Sequence, residues 1–232
     1  MNCQSEKTNI IAYVDGDHQL YTKARNYVAS SKFKEKLCLW RSKGSPSVGS
    51  VKRRRQRIAD IHNEIKQYIK ECDYIFMIED DGILPANALE KLHEAYLDHP
   101  HAGFITGVEL GRWGYKHLGL WDLDDVYDPT QITTTEMGEG IKDIDAAGIY
   151  CMLTRYETYA DHKYKPYLEV LGPDVDYGVE LRKAGYKNYV DYGIKVVHLT
   201  KTEEITFHNA KIVQVQFNKN ESVRFGWKMT TL

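Results

Sequence analysis

The 232-residue chain has little cysteine: Cys3, Cys38, Cys72 and Cys151 stand apart, and no CxxC pair occurs. Reduced thiols in a cytoplasmic protein are the simplest reading. No apolar run is as long as a membrane span, and the first residues, MNCQSEKTN, lack the apolar stretch of a secretory signal, so no membrane span is expected. The formal net charge is only −2, which removes any global basic field that would advertise nucleic acid or a membrane surface. The turn after the first apolar segment lacks GxGxxG, which disfavours a dinucleotide-binding dehydrogenase. Internal repeats and low-complexity segments are also missing. What is present, 42% hydrophobic residues, suffices for one sizeable domain with a real core. Seventeen tyrosines is a high count; aromatic faces serve carbohydrate and base sites, and tyrosine is also common in strands.

The organising stretch is DYIFMIEDDGILP, residues 73–85. Tyr74 to Ile78 reads as a buried strand, most simply a central strand of a parallel sheet. It ends in Glu79, Asp80 and Asp81, three carboxylates that repel one another and cost desolvation energy. A divalent cation would remove both penalties; a solvated acidic loop is the competing reading. Gly82 allows a turn, and Pro85 is expected to start a helix over 86–97. In open α/β sheets ligands bind at the carboxyl ends of the strands, where these acids sit.

Before that stretch, NIIAYV, a helix over 20–29 and KLCLW predict a β-α-β opening with a parallel strand pair. A Gly/Ser/Pro loop over 41–50 leads to a helix from Val51 to about Lys70, with Ile58, Ile61, Ile65 and Ile69 at helical spacing. Its basic start, including Arg53, Arg55 and Arg57, is expected on the same sheet edge as the acids, where it would hold a pyrophosphate. A solvated basic face or a nucleic-acid patch are the competing readings. Later, AGFITGV reads as a strand, and residues 109–140, which hold Trp113 and Trp121, as a long irregular insertion or lid on the acceptor side. IKDIDAAGIYCML returns to strand character, with Gly148 in a small-residue break where a ligand can approach. The segment 171–176 is expected to cap a helix over 177–184 closed by Gly185, and two short extended pieces, 188–190 and 194–197, to deliver His198. The tail over 201–232 is expected to pack on the same domain, with weak strand alternation.

In order and spacing, residues 9–198 resemble the family-two-like glycosyltransferases of the GT-A fold. The matching segments are NIIAYVDGD, SVKRRRQRIADIHNEI, MIEDDGILPANALEKL, DIDAAGIYCML, GPDVDYGVELRKAGYKNYV and VVHLT. Each segment alone is a weak signal. The chain departs from the family pattern twice: Glu79 occupies the first position of the DxD motif, and Pro173 precedes Asp174 where an acid is usual.

The resemblance implies an α/β fold of the nucleotide-diphospho-sugar transferase type, with a mainly parallel central sheet flanked by helices. It implies a catalytic domain over 1–200 and a C-terminal extension over 201–232. The cofactor would be Mn²⁺ or Mg²⁺ held by Asp81, Glu79 and His198, and the donor a nucleotide-diphosphate sugar, UDP-sugar first. Asp15, Asp17, Asp80 and Gly148 would serve nucleoside, ribose or sugar, and Arg53, Arg55 and Arg57 the phosphates. Asp174 or Asp176 would be the general base of an inverting transfer, with helix capping as the plain alternative. The acceptor would be a glycan or a hydroxylated, modified DNA base. A sugar-phosphate nucleotidyltransferase would carry a Gly-rich, Arg-containing loop where this chain has DGDHQL. A metal-dependent nuclease would need more converging acids. A sugar-nucleotide or nucleic-acid binding module without transfer remains the non-enzymatic reading.

Overall fold

The computed structural model describes residues 10–15, 18–41, 51–111, 117–167, 171–199, 204–207, 212–219 and 225–231. The chain divides into two compact units, Met1–Lys70 and Glu71–Leu232.

In the first unit, β1 (Ile10–Asp15), α1 (His18–Ser30) and β2 (Lys36–Arg41) form the expected β-α-β opening. The two strands are parallel, in register from Ile10 with Lys36 to Asp15 with Arg41. The helix α2 (Val51–Ile65) ends in a 3-10 turn, Lys66–Tyr68. The Tyr13 hydroxyl donates to Glu64 Oε2 at 2.9 Å and ties β1 to α2. The buried face of α2 centres on Ala59 rather than on the isoleucine row, and Ile58 is 45% exposed. Of the expected loop over 41–50, Arg41 instead ends β2, and residues 42–50 lie outside the described residues.

The second unit begins with β3 (Tyr74–Ile78), β4 (Gly82–Ile83), α3 (Ala88–Asp98) and β5 (Ala102–Glu109). It continues through β6 (Leu120–Leu123), β7 (Gln131–Thr134), β8 (Ile141–Ile144), β9 (Ala146–Ala147) and β10 (Cys151–Arg155). Then come α4 (Tyr156–Asp161), α5 (Pro173–Lys183), β11 (Lys187–Leu199), β12 (Glu204–Ile205), β13 (Val213–Lys219) and β14 (Phe225–Thr231). The main sheet has the order β12-β11-β5-β10-β3, with β4 and β8 also paired to β11. Among the described residues only β11 and β5 pair in parallel there; every other pair in that sheet is antiparallel. The protein is therefore mixed α/β, and the expectation of a mainly parallel sheet is corrected. The cause is the turn at Ile149 and Tyr150, which sends β10 between β3 and β5 against their direction. The strands β3, β5 and β11 still point the same way, so their carboxyl ends share one edge.

The fully buried central strand is β5, not β3. All eight residues of β5 are buried, whereas β3 buries only Met77 and leaves Ile78 58% exposed. Among the described residues β3 pairs with β10 alone. Leu92, Ala95 and Tyr96 of α3 pack with Ile105, Leu153, Ile194 and Val196 to form one core.

A second, wholly antiparallel sheet, β14-β13-β7-β6-β9, uses β6 and β7 from the span expected to be irregular. Trp121, Ile132 and Ala146 of this sheet pack with Val175 and Val179 of α5. Trp113 lies outside the described residues. The strand character over 141–153 resolves into three strands in two sheets, and the pieces of β11 are one strand with an irregularity between Val190 and Lys195.

Two helix starts also differ from expectation. Pro85 accepts a hydrogen bond from Ala88 N–H in a turn, and α3 begins at Ala88 rather than 86. Pro173 takes the first helical position of α5, four residues before the expected start, because its fixed φ suits that place. Gly185 closes that region at φ +90°, as expected. Among the described residues no helix is long and apolar enough to cross a membrane.

Candidate functional site

The shared edge of β3, β5 and β11 gathers three titratable side chains. Asp81 follows β3, Glu109 is the last residue of β5, and His198 is the penultimate residue of β11. The acidic loop is fastened there by main-chain bonds. Gly82 and Ile83 pair with His198 and Val197, and Leu199 N–H donates to Asp81 O at 2.6 Å. Glycine at 82 permits this closure: a Cβ there would stand 3.2 Å from Val196 Cγ1 and 3.7 Å from Glu109 Oε1.

His198 is buried, and its Nδ1 lies 2.9 Å from Leu110 O. A carbonyl only accepts, so Nδ1 carries the proton and donates it. Glu109 Oε2, also buried, stands 3.3 Å from the same nitrogen. In the neutral ring Nε2 then carries the lone pair. It is buried, makes no hydrogen bond, and faces Asp81 Oδ2 at 3.5 Å. Tyr150 closes the wall, its hydroxyl donating to Gly107 O at 3.2 Å. Burial first, then the carboxylates of Glu109 and Glu79, push the Tyr150 phenol well above its usual range. Glu79 and Asp80 themselves are exposed.

Gly148 and Asp174 meet beside Tyr150. A Cβ at Gly148 would lie 2.7 Å from the Tyr150 ring and 3.8 Å from Asp174 Oδ2. Asp174 is half-buried in the first turn of α5, folded back so that any Cβ on Gly172 would collide with Oδ1. Asp176 turns elsewhere. Its side chain is 1% exposed, with Oδ2 3.3 Å from His162 Nε2 and Oδ1 3.8 Å from Lys165 Nζ. His162 sits edge-on to Tyr164 with ring centres 4.6 Å apart. Neither acid precedes the helix; both lie inside its first turn.

The remaining residues singled out from sequence belong to the first unit. Asp15 ends β1 with its side chain outside the described residues, and Asp17 lies outside them altogether. Arg53 is exposed and Arg55 and Arg57 are half-buried on α2. Glu109 is not among the residues the sequence singles out; an acid closes the apolar run AGFITGV as Glu79 closes YIFMI, but its place at the head of the 109–140 insertion masks that signal.

Among the described residues no three His, Cys, Asp or Glu side chains make a group able to hold a metal by themselves. The geometry explains why: Asp81 and Glu109 face opposite nitrogens of the His198 ring. Two neighbouring ligands at about 2.1 Å from an octahedral Mg²⁺ or Mn²⁺ stand about 3 Å apart, so Asp81 Oδ2 and His198 Nε2, at 3.5 Å, would have to draw slightly together to share one cation. Such cations take few protein ligands and complete their shell with water and substrate phosphate oxygens.

No protein-family model and no curated protein matches the chain. Among solved structures, A197 from STIV is similar at 14% identity over 85% of this chain and 88% of that one, with a TM-score of 0.51. That likeness is one of fold. A nucleoside-diphosphate-sugar pyrophosphorylase from Vibrio cholerae RC9 aligns at 12% identity over 83% of this chain and 76% of that chain, TM-score 0.46. An apo UDP-glucose pyrophosphorylase aligns at 8% identity over 82% and 75%, TM-score 0.46.

Proposed function

We propose that the protein is a GT-A-type, metal-dependent glycosyltransferase. It moves a sugar from a nucleotide diphosphate, UDP-sugar first, to a hydroxyl of a glycan or a hydroxylated DNA base, with inversion. The observation that carries this reading is the Asp81–His198 pair at the carboxyl edge of three co-directional strands. The sequence resemblance through DYIFMIEDDGILP and VVHLT supports it. Asp81 and His198 would hold Mn²⁺ or Mg²⁺, which would supply positive charge to stabilise the leaving diphosphate. Glu79 and Asp80, exposed beside the pair, contact the ribose or the sugar. The Tyr150 ring fills the space beside Gly148, so the glycine there serves that packing rather than the donor.

Asp174 takes the proton of the acceptor hydroxyl. A base must touch the group it deprotonates, and the burial of Asp176 against His162 favours Asp174 for that role. Asp176 then serves as a first-turn acid that completes the start of α5.

The test is release of nucleoside diphosphate from a panel of sugar nucleotides, with and without Mn²⁺. Turnover is expected only with metal, and Asp81→Ala is expected to abolish it while the circular-dichroism spectrum stays native. Full turnover in EDTA sinks the metal role. Donor binding without release of nucleoside diphosphate to any acceptor reduces the protein to a binding module.

A further inference from the structure

We infer that Glu109 is the positioning residue for His198, holding the imidazole so that Nε2 faces Asp81 and the cation; this rests on the metal-dependent reading above. The main-chain hydrogen bond to Leu110 O fixes which nitrogen carries the proton. A carbonyl dipole does this weakly, since the ring can still pivot about that single bond. Glu109 adds a second contact, its carboxyl oxygen Oε2 standing 3.3 Å from the same Nδ1. Both contacts lie on Nδ1, so in the neutral ring the lone pair is on Nε2, the nitrogen that faces Asp81. A carboxylate behind an imidazole also makes its far nitrogen a stronger donor to a metal.

The carboxylate is held in turn. It is buried on the last residue of the fully buried strand β5, and Oε1 lies over the Cα of Gly82, next to Asp81 in the chain. Glu109 thus spans the His198 ring and the acidic loop, the two sources of cation ligands. It cannot itself join them on the metal, because it lies behind the ring.

The experiment measures the Mn²⁺ dissociation constant by the free-ion EPR signal for the parent, Glu109→Gln, Glu109→Asp and Asp81→Ala proteins. Circular dichroism of each metal-free protein checks the fold. Glu109→Gln keeps shape and hydrogen-bonding capacity but removes the charge, and is expected to weaken Mn²⁺ about 10–100-fold, the general range for such partners. Glu109→Asp keeps the charge, drawn back by one carbon, and is expected to lose less; it decides the matter should the glutamine variant fail to fold. Parent-like Mn²⁺ affinity in a folded Glu109→Gln protein overturns the inference and leaves the metal site standing. A parent protein that does not bind Mn²⁺, or an Asp81→Ala protein that binds it equally well, overturns the metal reading, and this inference with it.

Discussion

Asp174 and Asp176 stand two residues apart in one helical turn and meet opposite surroundings, so single substitutions separate their roles. Asp174→Asn keeps size and capping ability; it is expected to lower kcat by about 10²–10⁴-fold with donor affinity preserved, the range for loss of a general base. Asp176→Asn is expected to leave kcat within a few-fold and to cost about 1–3 kcal/mol of stability, because it uncouples a buried carboxylate from His162. The reverse pattern in steady-state kinetics and thermal melts would move the base to Asp176. Asp122 offers a separate, pH-dependent test. Although the residue is exposed, burial of its carboxyl and then the charge of Asp145 push it up to about 6, from an ordinary 3.8. The folded state therefore binds this proton more tightly than the unfolded chain. The stability it contributes is full below pH 4 and is lost as pH rises through about 6. Asp122→Asn is expected to remove that slope and to raise stability at pH 7 by about 1 kcal/mol, solvent screening included. Denaturant melts at pH 4.5 and 7 with the same slope in both proteins would refute the assignment.

The helix α5 sits closer to its sheet than a side chain allows. A Cβ at Gly178 would stand 2.7 Å from both Ala146 Cα and Asp145 O, main-chain atoms that cannot swing aside. Nearby, the Asn188 amide donates to Gly178 O at 2.9 Å and to Asp145 O at 2.7 Å, joining helix, β11 and the β8–β9 junction. In an exposed helix, glycine to alanine gains about 1 kcal/mol of propensity. Here overpacking of about 1–3 kcal/mol or more outweighs it. Gly178→Ala is expected to lower Tm and, by lifting the first turn of α5, to lower kcat through Asp174. A Tm equal to or above the parent value would show that the helix can retreat freely. The same element shows what local signals can tell. The helix over 177–184 and its closure at Gly185 were legible, whereas the true start at Pro173 was hidden because LGPDVD reads equally well as a turn.

At the scale of the whole molecule, the basic start of α2 belongs to the first unit and Asp81, His198 and Asp174 to the second. Its role is tested by separate Arg53→Ala, Arg55→Ala and Arg57→Ala proteins. Unequal rises in donor KM are expected if the arginines serve the diphosphate. Unchanged KM with loss of a steeply salt-dependent DNA affinity would assign them to a nucleic-acid acceptor. The sequence by itself determined the β-α-β opening, the apolar runs of β3 and β5, the helix α3 and the acids that end YIFMI. These follow from periodicity and turn chemistry within a few neighbouring residues. It also pointed to Asp81 and His198, through order along the chain rather than through contact. Only the tertiary structure decided that β10 runs against β3 and β5, that the insertion after Glu109 builds a second sheet, and that Glu109 stands behind His198. Leu110 and His198, bonded across this site, are 88 residues apart in the chain. Pairings at such separation are chosen by which faces bury the most apolar surface together, a property of the assembled core that no local pattern encodes.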